Sequence, residues 1–577
     1  MDNPEIARTL EEVADILEIQ NANPFRIRAY RNAVRTVQSL TTPLRRWVEE
    51  NRPLTDLPGI GKEMANHIRE MVETGTLGFR DQLVAEVPRS LIDLMRLPGV
   101  GPKKARRFYD EMNICSVDEL EAAAKEGRIA TIPGFGAKTQ EKILAGIQEH
   151  RQHSSRFLLS DAERSVEPLI AWLREIPEVE RLEVAGSYRR RRETVGDIDL
   201  LVLASKPGPV MEAFLHYPQR DKILMAGDTR STITLGSGLQ VDLRVVPPDC
   251  YGAALVYFTG SKEHNVKLRR RGVERGLRIS EYGVFRVDGG AEGEGERIAG
   301  REEADVYAAV GLAWVQPELR EDRGEIEAAS TGRLPTLIRL EDLRGDLHMH
   351  STWSDGRNTI EEMVEAAAAR GYEYMVISDH SKALSMVNGL DAYRLREQWK
   401  EIDEVRARHP EIRILRSMEI DILGDGSLDL EDEMLAELDL VLVSLHTRLD
   451  LPEAQQTERV LRALEHPEVN VFCHPTARLI NRRKPVEMDV DVVLRRAAEL
   501  GVAVEVNSNP HRLDLKDTHL KLAKELGCKV VINTDSHRIR ELDLMRYGVE
   551  QARRAGLEAR DVLNALPYKE FERAVKK

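Results

Sequence analysis

Apolar residues recur at helical spacing near the start of the chain. Ile6, Leu10, Val13, Ala14 and Leu17 fall on one stripe, which predicts helices across 5–50. Further on the period changes. The short apolar runs 182–185, 198–203 and 239–246 predict strands, and the last two are each interrupted by one carboxylate, Asp199 and Asp242. From residue 345 onward apolar strands alternate with helical patterns. Strands are predicted at 345–350, 374–380, 412–419, 440–446, 469–474, 502–507 and 529–537, with helices such as 361–370, 392–408 and 489–500 between them. About seven strands in strand–helix alternation follow the logic of a barrel, whose site forms where the strands end.

One motif punctuates the helical front of the chain. Leu57-Pro-Gly59-Ile-Gly61-Lys62 recurs as Leu97-Pro-Gly99-Val-Gly101-Pro-Lys103 and as Ile132-Pro-Gly134-Phe-Gly136-Ala-Lys138, each copy followed by a helical pattern. The glycines let the backbone come close to a ligand, and the following helix offers free N–H groups and a positive dipole end. A phosphate fits there, with the lysine as counter-charge. This is the helix-hairpin-helix motif, which grips nucleic-acid backbone without reading sequence.

Chemistry concentrates at two places. The first is Gly186-Ser-Tyr-Arg-Arg-Arg-Arg-Glu-Thr-Val-Gly196-Asp197-Ile-Asp199. Side chains at i and i+2 of a strand point the same way, so Asp197 and Asp199 converge beside a basic turn. Taken alone, the pair suits either a magnesium-bound polyphosphate or a solvated surface. Asp242, central in its strand, is costly to bury unless it is paired or metal-bound, and it makes a natural third ligand. The second place is the set of strand ends behind residue 345. His348 and His350 share a strand face. Asp355 follows, and later strands end in His380, Glu419, His446, His474, and Asp535 with His537. Imidazole with carboxylate suits zinc or manganese. Arg478, His511 and Arg512 are candidates to hold a phosphate there.

Composition narrows the class. The 577 residues predict several domains, and 42% hydrophobic with 32% charged residues describes a globular chain. No apolar run approaches a membrane span, and no signal peptide precedes the first helix, so a cytoplasmic protein is expected. The four cysteines form no CxxC pair. A net charge of −14 argues against a generally basic nucleic-acid binder but leaves local patches, dense at 189–192 and at 262–278.

In these residues the chain closely resembles the family X DNA polymerases, typified by polymerase beta. The matching motifs are GSYRR, GDID, VDLRV, YFTGS with Asn265 and Arg269, and SEY, in order over about 1–323. The resemblance implies that Asp197, Asp199 and Asp242 hold two magnesium ions and that Asp242 helps deprotonate the primer 3′-hydroxyl. It places Ser187, Arg190 and Gly196 on the triphosphate, Tyr257 and Phe258 against the deoxyribose, and Asn265 and Arg269 on the minor-groove side. It assigns DNA contacts to Gly59, Gly61, Lys62, Gly99, Gly101 and Lys103, and a 5′-phosphate to Arg26 and Tyr30. Two departures stand out: Gln240 replaces an arginine near the catalytic aspartate, so one positive charge by the primer end is missing, and Lys262 replaces an acidic residue, which strengthens nucleotide binding. A third is His67, which takes the place of the lysine that attacks the sugar aldehyde in polymerase beta.

Residues 343–577 resemble the PHP (polymerase and histidinol phosphatase) domain. The resemblance implies three metals, manganese or zinc, in a distorted (β/α)7 barrel. His348, His350, Glu419 and Asp535 would take one, Glu419, His446 and His474 a second, and Asp355, His380 and His537 a third. The whole is then multidomain: a helical DNA-binding domain (1–85), a fingers-like helical domain (86–155), an α+β nucleotidyltransferase palm (156–258), a thumb (259–323), a linker (324–342) and the PHP barrel (343–577). The implied enzyme is a monomeric DNA polymerase that fills short gaps from dNTPs on gapped or primed DNA. Its back half is implied to be a 3′–5′ exonuclease. Two rivals are a polymerase whose PHP domain is a metal-stabilised scaffold and a small-molecule phosphatase with a DNA-binding front. Residues 289–300 are expected to be a loop in the thumb.

Overall fold

A computed structural model of the chain describes residues 1, 3–40, 44–88, 91–95, 97, 100–132, 134–153, 156–287 and 295–575. Two compact units emerge, Met1–Arg156 and Phe157–Lys577.

The first unit is helical. Asn3–Ile19 and Pro24–Ser39 pack together, and the stripe of Ile6, Leu10, Val13, Ala14 and Leu17 lies in their shared core. That core continues through Ile68 and Phe108 to Ile147. The two helical domains expected at 1–85 and 86–155 therefore share one interior. Gly61 and Gly101 cap the helices Lys62–Thr74 and Pro102–Met112 with nearly the same backbone angles (φ −84°, ψ 177° and φ −88°, ψ 174°). Neither cap uses a side chain, so the first-turn N–H groups have no capping partner.

The second unit opens with a five-stranded sheet. Its strands are β1 (Arg181–Val184), β2 (Asp197–Leu203), β3 (Arg220–Met225), β4 (Arg230–Leu235) and β5 (Gln240–Val246), in the order β1-β2-β5-β4-β3. On β2, Ile198, Leu200 and Val202 enter the core beneath the helices Leu159–Arg174 and Pro207–Leu215, while Leu201 and Leu203 face the helix Tyr251–Thr259. The period of two thus puts Asp197 and Asp199 on the Leu201 side. A three-stranded antiparallel sheet and the helices Lys262–Val273, Glu303–Ala309 and Glu325–Ser330 build the next body. Arg297–Ala299 is a strand of that sheet, although 289–300 reads as a loop; residues 288–294 lie outside the described ones.

The C-terminal part is a parallel sheet of seven strands in sequence order: β6 (Gly345–Asp346), β7 (Tyr374–Ile377), β8 (Arg413–Asp421), β9 (Leu440–Ser444), β10 (Val469–Phe472), β11 (Ala503–Asn507) and β12 (Val530–Asn533). A parallel bridge between Met349 and Ser536, with His350 N–H donating to Ser536 O at 2.9 Å, joins the two ends into a nearly closed barrel. The strands alternate cleanly. Met375, Met418, Val441, Val504 and Ile532 face the outer helices, whereas Tyr374, Leu415, Leu440, Leu442, Val471, Ala503 and Val531 fill the interior toward the N-terminal end. The same inward register carries Glu419, Glu505 and Asp535 at the other end.

The segment 324–342 is not a free linker. Ile326 and Ala329 belong to the thumb core, Glu325 meets the buried His264 at 2.7 Å, and Ile338 is buried against the barrel with its N–H on Leu557 O. Beside it the barrel docks on the palm through buried charge. Arg190 binds Glu321 (3.0 Å), Glu321 binds Arg554 (3.1 Å), and Arg554 binds Asp517 (2.6 Å), which also binds Arg323 (2.9 Å). Glu163 of the palm takes Arg191, Arg546 and the Tyr547 hydroxyl together. Ile480, Leu513 and Tyr547 join the palm core itself. Palm, thumb and barrel form one packed unit, with Arg190, Glu321, Arg554 and Asp517 as ion pairs in its interior.

Candidate active sites

The palm aspartates meet across two neighbouring strands. Strands β2 and β5 run parallel with Asp199 directly opposite Asp242 and Asp197 opposite Gln240. Asp242 is buried and its oxygens are oriented: Thr232 Oγ1 donates to Oδ1 at 2.6 Å and Gln240 Nε2 to Oδ2 at 2.9 Å. Arg230, from β4, stands 3.4 Å from Oδ1. The charge expected to be missing at Gln240 is therefore supplied from the adjacent strand, which local sequence does not reveal. Burial, with Asp197 and Asp242 beside it, pushes Asp199 up to about 7. Carboxylates crowded in this way resist joint ionisation, and divalent cations with oxygen ligands relieve the repulsion. The site therefore fits magnesium. Gly186 (φ +63°) closes the pocket: a Cβ there would lie 2.7 Å from Asp199 Oδ2.

Ser187 lies in the helical turn Gly186–Arg189 after β1, and Gly196 immediately precedes Asp197, so both border the carboxylates. Arg190, expected on the triphosphate, has a buried guanidinium that donates to Thr259 O and pairs with Glu321 of the thumb. Tyr257 is partly exposed and meets Phe258 edge-on at 5.1 Å. Asn265 Nδ2 donates to Tyr257 O at 2.7 Å, and Arg269 Nε to Asn265 O at 3.2 Å. Tyr257, Asn265, Arg269 and Ser280 line a small cleft. Lys262 is exposed at the start of its helix.

In the helical unit, Lys62 and Lys103 are exposed in the first turns behind Gly61 and Gly101, where a phosphate would meet the uncapped N–H groups; Gly59 adopts φ +75° in the turn. Gly99 lies outside the described residues. The expected 5′-phosphate pair is arranged differently. Tyr30 is buried with its hydroxyl 3.4 Å from Glu63, and Arg26 is held by Glu63 at 2.7 Å over the Phe79 ring. His67 forms an aromatic cluster with Tyr30 and Phe79, its ring 6.0 and 5.5 Å from theirs and theirs 6.3 Å apart. An imidazole forms no stable imine with an aldehyde, and Schiff-base chemistry calls for a lysine amine. Borohydride reduction in the presence of a 5′-deoxyribose-phosphate end is therefore expected to leave the protein unlabelled. Covalent capture would contradict this, and its loss in Lys62→Ala would identify Lys62 as the nucleophile.

The barrel gathers all nine of its predicted ligands at the C-terminal ends of its strands. Glu419 is central: His474 Nε2 lies 2.7 Å from one oxygen, and His380 Nδ1 (3.0 Å) and His348 Nε2 (3.3 Å) from the other. His446 Nε2 is 3.4 Å away. Asp535 Oδ1 faces His350 Nε2 at 3.2 Å, and Asp355 Oδ1 faces His537 Nε2 at 3.3 Å. The groups overlap rather than separate: His350 stands with Asp355, His380 and His537 as well as with His348 and Asp535. Burial, then His537 and His380, push His350 down to about 3, which leaves it a neutral ligand. Burial alone would raise the Glu419 carboxyl, but His446, His348, His380 and His474 outweigh it and hold it well below the usual range. Neutral His350 and ionised Glu419 are in the donor state divalent metals require, whereas the surrounding carboxylates outweigh burial and raise His348, His380 and His537. His348 Nε2, His380 Nδ1 and Glu419 Oε2 are buried with no hydrogen-bond partner, so their lone pairs suit a cation. His474 and Asp535 hold positive φ (27° and 55°), a strain tolerated where function demands it.

Glu505, on β11, escapes sequence reading. It accepts from His348 Nδ1 (2.8 Å), Asn533 Nδ2 (2.9 Å) and His474 N–H (2.7 Å), and so orients two ligands. A carboxylate inside an apolar strand was the available signal, as it was at Asp242. Buried Cys473 lies next to His348 and Glu505, and burial pushes its thiol up. Among the phosphate candidates, Arg478 is turned away, paired with Glu193 of the palm at 2.6 Å, while Arg512 Nε reaches to 3.8 Å from Asp535.

Known families map onto this architecture piece by piece. A helix-hairpin-helix domain matches residues 1–77, a SAM-like helix-hairpin-helix tandem 91–149, the DNA polymerase beta thumb 254–321 and the PHP domain 346–509. Over 579 aligned residues, covering 100% of both proteins, the chain is 39% identical to "DNA polymerase/3'-5' exonuclease PolX" of Bacillus subtilis (strain 168). The chain belongs to the family X DNA polymerases. It is an enzyme of the bacterial kind that carries a PHP domain behind the polymerase. DNA polymerase lambda of Arabidopsis thaliana shares 25% identity over 349 residues, 55% of this chain and 62% of that one. A "Probable phosphatase" of Syntrophotalea carbinolica shares 32% over 168 residues, 28% of this chain and 65% of that one. Among the described residues no helix is long and apolar enough to cross a membrane.

Proposed function

We propose that this family X polymerase fills short gaps in DNA during repair and that its barrel removes nucleotides from 3′ ends. The observation that carries the reading is that two separate clusters of ligand-type residues stand on one compact unit. Oxygen ligands alone converge on β2 and β5, and nine imidazole and carboxylate ligands converge at the barrel mouth. In the palm, Asp242 takes the proton of the primer 3′-hydroxyl, with its oxygens held by Thr232, Gln240 and Arg230. Asp197, Asp199 and Asp242 would hold two magnesium ions, which would supply charge neutralisation to the triphosphate. Ser187 and the N–H groups of its turn receive the phosphates, and Tyr257 and Phe258 pack the sugar.

At the barrel mouth, His348, His350, Asp355, His380, Glu419, His446, His474, Asp535 and His537 would hold manganese or zinc, about three ions, which would supply Lewis acidity toward the phosphodiester. Arg512 steadies the scissile phosphate. The protein acts as a cytoplasmic monomer on gapped or primed DNA. The exposed Lys62 and Lys103, each behind a capping glycine, grip the backbone and seat the 5′-phosphate of the gap. Single-nucleotide incorporation is expected to be faster at a gap bearing a 5′-phosphate than at one bearing a 5′-hydroxyl. Equal rates at the two gaps, compared with an open primer end, would contradict gap filling guided by the 5′-phosphate.

A further inference from the structure

The barrel strand that ends in His380 is followed by an excursion, residues 381–391, before the helix Ala392–Arg408 begins. The excursion stands on the face where all the ligands gather. It is fastened there at several points. Leu390 N–H donates to His380 O at 2.8 Å, and Ser381 bridges Leu390. Ala383 N–H donates to Asp429. Asn388 Nδ2 and Arg394 Nη2 both donate to Trp353 O, at 3.1 and 2.7 Å, two residues before Asp355. The loop is thus tied to the segments that carry two ligands, His380 and Asp355.

Despite this anchorage the loop presents large apolar side chains to solvent. Met386 at its apex is 98% exposed and Tyr393, where it joins the helix, is 72% exposed. Isolated exposed apolar residues are ordinary. These two differ because they stand on one fastened segment after the strand that ends in His380. Met386 lies in the loop and Tyr393 in the first turn of the following helix, which Arg394 ties back to Asn388 O and Gly389 O, on the face where βα segments of a barrel contact substrate. Their chemistry is that of a stacking platform: a flat ring and a polarisable thioether, which accept any base and read none. Arg394, the nearby cation, is spent on backbone carbonyls of the loop and of Trp353.

We propose that Met386 and Tyr393 bind the unpaired terminal bases of a DNA 3′ end and so direct the barrel toward single-stranded nucleic acid rather than small phosphoesters. The proposal rests on the reading of the barrel as a 3′ nuclease, and the test separates the two. Hydrolysis of a single-stranded oligonucleotide is compared with that of thymidine 5′-(p-nitrophenyl phosphate), which offers no strand to stack. The double variant Met386→Ala/Tyr393→Ala should raise KM for the oligonucleotide roughly tenfold, with kcat and small-ester turnover unchanged. Met386→Leu/Tyr393→Phe should restore the oligonucleotide KM. An unchanged oligonucleotide KM, or an equal loss on both substrates, would overturn the proposal. Failure of the wild-type protein to act on either substrate would refute the nuclease reading instead. A binding readout then still decides the platform. An oligonucleotide with 5-iodouracil as its 3′-terminal base is photo-cross-linked to the full chain and digested with trypsin, which releases residues 383–394 as one peptide. Label in that peptide supports the platform, and label confined to other peptides overturns it.

Discussion

Asp242→Ala is expected to abolish nucleotide addition, by about a thousandfold or more, equivalent to at least ~4 kcal/mol of transition-state stabilisation. Asp242 sits directly opposite Asp199 on the next strand, and in the mechanism proposed above its substitution removes both a magnesium ligand and the base for the primer 3′-hydroxyl. It also strands its neighbours, since Thr232, Gln240 and Arg230 all aim polar hydrogens at the missing oxygens. Asp242→Asn is a stricter form of the same test, because it keeps the shape and loses the charge. Degradation of 3′ ends should continue at the wild-type rate in both variants. Single-turnover incorporation of one nucleotide on a primed template measures the effect. A residual rate within tenfold of wild type would mean that Asp242 lies outside the reacting centre.

Glu419→Ala should have an effect of the same size at the other site. Its two oxygens lie within 3.4 Å of His348, His380, His446 and His474, so it ties most of the imidazoles to one anion. Without it those imidazoles face one another in a buried site with too little negative charge to hold multiple cations. We expect metal content, measured by elemental analysis of the purified protein, to fall by at least one ion per chain. Exonuclease activity should drop about a thousandfold or more. Polymerisation should be retained. Full metal occupancy with full nuclease activity would remove Glu419 from the site.

Much of this architecture is legible in the sequence because the decisive residues obey local periods. Ligands ending successive apolar strands announce the barrel, since inward register recurs every second residue and parallel strands align their C-termini. The carboxylates of β2 and β5 are legible for the same reason, and the glycine-capped helices announce themselves by repetition. What was missed depends on partners far apart in the chain. Arg230 reaches Asp242 only because β4 lies beside β5. Arg190 and Arg478 read as phosphate ligands from their position in the sequence, yet each meets a carboxylate far along the chain, Glu321 of the thumb for Arg190 and Glu193 of the palm for Arg478 of the barrel. Residues 324–342 carry the acid, serine and glycine of a linker, but Ile326, Ala329 and Ile338 find cores on either side. Glu505 was within reach: a carboxylate in an apolar strand has to be explained, and its explanation is His348.

The central claim is that one chain carries two chemically independent sites, and a single crossed assay tests it. Asp242→Ala and His350→Ala are each mixed with the same 5′-labelled gapped substrate and all four dNTPs, and the product lengths are followed on one gel. The account predicts shortening without extension for Asp242→Ala and extension without shortening for His350→Ala. Loss of both reactions in either variant, or wild-type shortening by His350→Ala, would contradict it.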